Sequence, residues 1–166
     1  IAQHGEIIQF IDTLSRFWIP IVLKDLSSQE TVNVAIKEIF SRFGIPSKIV
    51  CDKGTNYKGF EFKNLCKSLG IEIHYCTPDH KTGNVISERS FRTMRTILMK
   101  IKAVADENAT FNFTIAVHFA SYIYNTTECT TTKISPFILM FGCYPNFNDF
   151  LNNGFQNSTV IKKLKS

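Results

Sequence analysis

Runs of β-branched and aromatic residues alternate along this chain with longer segments whose apolar residues recur at helical spacing. That alternation restricts the fold more than any other feature. Glu6 to Asp12 and Trp18 to Leu23 read as extended segments, because Ile, Val, Phe and Trp suit a pleated, half-buried surface. Asp12-Thr13-Leu14-Ser15 supplies the bend between them. Ser27 with Glu30 three residues later forms a capping box. Val32, Ala35, Ile36, Ile39, Phe40 and Phe43 then follow one helical stripe, which Gly44 and Pro46 close. Lys48 to Cys51 is a short strand entering the turn Asp52-Lys53-Gly54-Thr55-Asn56. Phe60 to Leu69 reads as a helix ended by Gly70, and Ile71 to Tyr75 as a strand. A loop over 77–84 leads to a long amphipathic helix from Val85 to about Glu107. A further helix runs from Phe111 to about Tyr124, and a last short one from Phe137 to Phe141 behind Ser135-Pro136. Strands joined by helices of this length predict a layered α/β domain.

A chain of 166 residues with 44% apolar and 13% aromatic content suits one domain with a real core. No apolar run approaches the ~20 residues a membrane span needs. The chain opens at Ile1, without an initiator Met and directly in strand-like sequence, which suggests a fragment of a longer product. Its five cysteines, Cys51, Cys66, Cys76, Cys129 and Cys143, are odd in number and form no CxxC pair. A disulfide scaffold does not follow, and a reducing compartment fits better. Cys51, His74, Cys76 and His80 match none of the usual zinc spacings; buried thiols and ordinary histidines are the plainer account.

The net charge of +5 is uneven. From Lys48 to Lys102 there are eleven Lys or Arg against five Asp or Glu, a net +6 in a third of the chain. A basic surface of that size favours a polyanion, although a generic solvated surface would carry the same count. Within this stretch, Asp52 stands where a strand gives way to a Gly-containing turn, the place where α/β proteins expose functional side chains. Glu88 begins the long helix, roughly 225° around the wheel from the apolar stripe of Met94, Ile97, Leu98, Ile101, Val104 and Ala105. Arg92 and Arg95 share its face at four and seven residues further on. A surface ion pair between Glu88 and Arg92 would explain this locally and stabilise by only ~0.3–0.5 kcal/mol. The functional reading adds Asp52. Two-metal phosphoryl transfer needs carboxylates from separate elements, and Mg²⁺ accepts carboxylate oxygens, waters and phosphate. Neighbouring Arg and Lys would then hold a nucleic-acid backbone.

Asp52 and Glu88 are separated by thirty-five residues. This resembles the last two members of the Asp-Asp-Glu triad of retroviral and retrotransposon integrases. The wording around them is similar too. Phe43-Gly44-Ile45-Pro46 through Asp52-Lys53-Gly54-Thr55-Asn56-Tyr57 resembles the family's block around its second Asp. Thr82-Gly83-Asn84 through Glu88-Arg89 resembles the block around its Glu. Ile11-Asp12-Thr13-Leu14-Ser15-Arg16-Phe17, and Tyr124-Asn125 with Ser135-Pro136-Phe137 and Phe141-Gly142, match two more blocks in order. The wording is most similar to gypsy-type LTR retrotransposon integrases.

The resemblance implies a ribonuclease-H-like layered fold, with a mixed β-sheet flanked by helices and its N-terminal strand missing. An integrase catalytic core, truncated at its start, would occupy 1–152, with a polar tail over 153–166. It implies Mg²⁺ or Mn²⁺, and 3′-end processing and strand transfer of element DNA into target DNA. DNA partners, a homo-oligomer, no membrane and a nuclear or intracellular setting follow from it. Asp52 and Glu88 take the catalytic and metal-binding positions. Lys53, Asn56, Lys81, Asn84, Arg89, Arg92 and Arg95 become candidates for nucleic-acid contact. The family's first Asp would precede Ile1, so this piece alone is expected to be poorly active or inactive. Asp12 matches a typical but non-catalytic Asp. A catalytically dead nucleic-acid-binding module derived from an integrase is the alternative, and a nuclease acting on hybrids a third. Four sequence triplets, starting at Asn108, Asn112, Asn125 and Asn157, fit the glycosylation pattern but receive no role.

Overall fold

The computed structural model describes residues 5–76, 85–106 and 112–145. They fall into two compact units, one of Ile1–Phe10 with Val22–Arg89, the other of Ile11–Ile21 with Ser90–Ser166. Strands β1 (Glu6–Ile11) and β2 (Trp18–Leu23) neighbour each other in one two-stranded sheet. Glu6, the one acid before Asp12, opens strand β1, in line with the extended reading of Glu6 to Asp12.

In the first unit, α1 (Ser28–Val34) begins where the Ser27 hydroxyl accepts from the Glu30 N–H at 3.2 Å. The second half of the expected capping box does not form. Asp25 accepts the Ser27 N–H at 2.9 Å, while Glu30 accepts from the Asn33 amide at 3.2 Å. Hydrogen bonds from Ser27 hold the Asp25 carboxyl below the usual carboxylate range. The helix then widens into a π-helical stretch, Ala35–Phe40, before the last turn α2 (Ser41–Phe43). The Ser41 N–H reaches back five residues to the Ile36 carbonyl. Widening shifts the phase of the apolar stripe. Val32, Val34 and Ala35 are buried and Phe40 packs on the core, whereas Ile36 and Phe43 face solvent.

Strand β3 (Lys48–Cys51) pairs in parallel with β4 (Glu72–Tyr75), with Lys48 opposite Glu72 and Cys51 opposite Tyr75. Parallel pairing requires a crossover, here the short α3 (Thr55–Lys58) and α4 (Phe60–Ser68). Among the described residues the strands form two separate two-stranded ladders, so the mixed sheet expected from the sequence is represented by its parallel and hairpin parts. Val32, Phe62, Cys66 and Ile71 make the buried core of this unit, with Ile49, Tyr57, Leu65 and Ile73 packed against it. Gly59 lies so close to α1 that an added Cβ would overlap the Ser28 side chain. Ser28 uses that closeness to accept the Phe62 N–H at 3.2 Å, which ties α4 to α1.

The long helix α5 (Val85–Asp106) starts in the first unit and continues into the second. Within the second unit, Met94 is buried and Ser90 meets the Tyr124 hydroxyl at 2.9 Å. Helix α6 (Phe113–Thr126) starts two residues later than its apolar pattern suggests, because Asn112 caps it by accepting the Ile115 N–H at 3.1 Å. Helix α7 (Pro136–Phe141) is capped by Ser135 with Pro136 in its first turn, where a missing N–H costs nothing. Trp18 is wholly buried and takes an edge-to-face contact with Tyr124 at 5.4 Å between centroids. This is core packing and not a stacking platform. The Asn125 side chain accepts from the Trp18 N–H and donates to the Trp18 carbonyl, both at 2.8 Å.

Candidate metal and nucleic-acid site

Asp52 is the first residue beyond β3, and its carboxylate is exposed. The neighbouring sequence fixes where that carboxylate points. Oδ1 accepts the Gly54 N–H at 2.8 Å, which closes a small turn. Position 54 has no room for a side chain: a Cβ there would lie 2.9 Å from Asp52 Oδ1 and 2.7 Å from Asn56 Oδ1. The loop expected over 52–56 is shorter than its sequence suggests, since Thr55 already opens α3.

Asn56, expected at the nucleic-acid surface, is only 8% exposed. Its amide donates to Thr31 Oγ1 at 3.3 Å, and Thr31 in turn donates to the Ser27 carbonyl. Its burial makes it a brace of the Asp52 turn, because a buried amide needs protein partners where water is excluded. Lys53 is exposed beside Asp52.

The ground beneath the turn is apolar and neutral. Burial, reinforced by the Asp52 charge, pushes the Cys51 thiol up to about 12. The same two causes push the Tyr57 phenol up to about 12. Tyr75 donates its hydroxyl to the Tyr57 carbonyl at 2.9 Å, joining β4 to α3. These groups stay uncharged at ordinary pH. All five cysteines are unpaired thiols.

Glu88 is exposed in the first turn of α5 and belongs to the same unit as Asp52. Among the described residues no ion pair joins Glu88 to Arg92, whereas Arg42 pairs with Glu38 and Lys48 with Glu72. The local surface-pair explanation of Glu88 therefore has no support. The residue before it, Ser87, accepts a 2.7 Å hydrogen bond from the Gln9 amide of β1. Sequence reasoning passed over Gln9, although a Gln within Glu-Ile-Ile-Gln-Phe-Ile is the sort of polar residue in an apolar strand that must find a partner. Arg89 is exposed next to Glu88. Arg92 and Arg95 are exposed further along α5, in the second unit. Lys81 and Asn84 lie outside the described residues.

Asp12 is occupied elsewhere: its Oδ2 accepts from the Ser15 N–H at 2.6 Å and the Ser15 hydroxyl at 2.7 Å, shaping the turn after β1. It is a turn residue and not a ligand. No group of three or more His, Cys, Asp or Glu able to hold a metal gathers among the described residues. Asp52 and Glu88 nonetheless offer what a hard divalent ion prefers, exposed carboxylate oxygens with room for water. No helix among the described residues is long and apolar enough to cross a membrane.

Residues 3–81 match the family model for the integrase core domain. The chain is 23% identical over 145 residues to the Retrovirus-related Pol polyprotein from transposon 412 of Drosophila melanogaster, which covers 87% of this chain and 11% of that protein. The chain thus spans about a tenth of that relative's length. Among solved structures, it resembles the simian T-cell lymphotropic virus intasome in complex with PP2A regulatory subunit B56 gamma. That match has a TM-score of 0.68 and 23% identity, over 86% of this chain and 54% of that one. It also resembles the HTLV-2 integrase catalytic core domain in complex with magnesium, in its trimeric form. Here the TM-score is 0.64 at 18% identity, over 82% and 93% of the two chains. The fold is the ribonuclease-H-like α/β fold of integrase catalytic cores. By the matched segment, the relatives and the fold together, the chain is similar to retroelement integrase cores.

Proposed function

We propose that this chain is the catalytic core of a DNA integrase: water attacks a phosphate near the element end and a 3′ hydroxyl leaves, then that hydroxyl attacks a target-strand phosphate and displaces the target's 3′ oxygen. The observation that carries the reading is the presentation of Asp52 and Glu88. Both motif acids stand exposed on separate elements of one unit, one at a strand end and one at a helix start. A divalent cation, when bound, supplies charge neutralisation to the phosphate under in-line attack. The chain's own part is to hold carboxylates in place. Asp52 is oriented by the Gly54 N–H, and Glu88 stands exposed in the first turn of α5. Lys53, Arg89, Arg92 and Arg95 supply exposed cations for the DNA backbone. The oligomers named for the two solved relatives support self-association, and five unpaired thiols accord with a nuclear or intracellular setting.

The test is an end-nicking assay with Mg²⁺ on a version extended upstream to include the first Asp. Nicking of duplex ends that disappears in Glu88→Gln is the expected result. A well-folded extended protein with no nicking rejects the enzymatic reading. If that protein still binds DNA, and Arg92→Ala with Arg95→Ala weakens binding while Glu88→Gln does not, the binding-module alternative takes its place.

A further inference from the structure

We propose that Gln9 and Ser87 are a positioning pair that aims the Glu88 carboxylate, an inference that rests on the metal-binding reading above. Residues 9 and 87 lie far apart in sequence, yet the Gln9 amide donates to Ser87 Oγ at 2.7 Å within one compact unit. Gln9 sits mid-strand on the face of β1 that also carries Ile7 and Ile11, opposite buried Ile8. Ser87 is the third residue of α5, and Glu88 is the fourth. The first turn of a helix is its weakest part, because its N–H groups have no intrahelical acceptors. A side-chain bond to a strand pins that turn, and the backbone of Ser87 fixes the direction in which its neighbour's side chain leaves the helix. Metal sites tolerate little error in ligand direction, so residues that orient a ligand affect affinity nearly as much as the ligand. A Gln on an otherwise apolar strand face is explained by this bond, and Ser87, with weak helix propensity, is explained by the same one. Gln9 and Ser87 are positioning residues; neither is assigned contact with a cation or DNA.

Two measurements on the chain as it stands decide this. Native-state hydrogen exchange without metal reads the amides of Arg89, Ser90 and Phe91, which close the first turn of α5. Gln9→Met and Ser87→Ala should each speed these amides roughly fivefold, and leave the amides of α4 unchanged. Ser87→Thr keeps the hydroxyl and should keep the wild-type rates. Titration with Mn²⁺ alone should show affinity lowered by a similar factor in either single variant and no further in the double. Unchanged exchange, or equal acceleration in α4, overturns the pairing role. So does Mn²⁺ binding that depends on Glu88 but ignores Gln9 and Ser87. If the wild-type chain shows no Mn²⁺ binding that Glu88→Gln removes, the metal reading of the site fails, and the exchange result alone judges whether the pair pins the helix.

Discussion

Asp52 owes its orientation to a residue that carries no side chain. Gly54 donates its N–H to the carboxylate, and the space a Cβ would need is already taken by Asp52 Oδ1 and Asn56 Oδ1. Gly54→Ala should therefore push the carboxylate and the Asn56 amide aside. We expect a loss of about 1–3 kcal/mol in urea unfolding and weaker Mn²⁺ binding than wild type; an unchanged midpoint would show that the turn relaxes freely. Asn125 poses a similar case far from the acids. It satisfies both backbone groups of a wholly buried Trp18. Asn125→Ala leaves the Trp18 N–H without that partner, and should cost about 2–3 kcal/mol, read from the shift in denaturant midpoint. A cost below ~0.5 kcal/mol would mean that water replaces the amide. Asn125 is 4% exposed, so its place in a glycosylation triplet has no bearing on the folded chain. Asn112 in a second such triplet is a helix cap.

At the scale of elements, α5 joins two chemistries along one axis. Its start carries Glu88, and Arg92 and Arg95 follow at four and seven residues, on the same side by helical geometry. If these arginines meet phosphates, Arg92→Ala with Arg95→Ala should weaken binding of duplex DNA at every sequence tested. It should also reduce the slope of log affinity against log salt by about two. A filter-binding or anisotropy series between low and moderate salt checks this, and an unchanged slope assigns the two cations elsewhere. The helices of the first unit were legible from periodicity except in one respect. The capping Ser27, the stop at Gly44 and the stripe through Val32 and Ala35 are local properties. The π-helical widening at Ala35–Phe40 is not, because it answers to what packs beneath the helix, and it turned Ile36 and Phe43 outward against the pattern. The register of β3 on β4, with Lys48 paired to Glu72, was equally beyond local reading, since parallel partners are set by the crossover between them.

Across the whole molecule, burial sorts four of the five cysteines in a way their spacing could not. Cys66 is wholly buried and its thiol is raised by that burial, and Cys51 is pushed up to about 12 by burial and the Asp52 charge. Cys129 is partly exposed, and N–H donation from Thr132 to its sulfur lowers its thiol below the usual range. Cys143 is exposed. The thiolate is the reactive form, so a lowered value brings reactivity to lower pH and a raised one removes it. Timed alkylation followed by peptide mass spectrometry should label Cys129 and Cys143 first, with Cys129 responding already below the pH range of an ordinary thiol. Cys51 and Cys66 should react only on unfolding. Early labelling of Cys66 would contradict the core of the first unit. The integrase-core fold, matched at TM-scores of 0.68 and 0.64, carries these details at 23% and 18% identity. Such low identity is expected where volume and pattern, not particular side chains, specify a core.

The amino-acid sequence by itself determined the order of strands and helices, the basic middle third and the two motif acids, because periodicity, capping and charge act over a few residues. Tertiary structure alone decided that Asn56 turns inward to Thr31. It also decided that Asp12 is consumed by its own turn and that Gln9 meets Ser87. Each of these depends on which distant backbone comes within hydrogen-bond reach of a polar side chain, and that distance is fixed only when the elements pack.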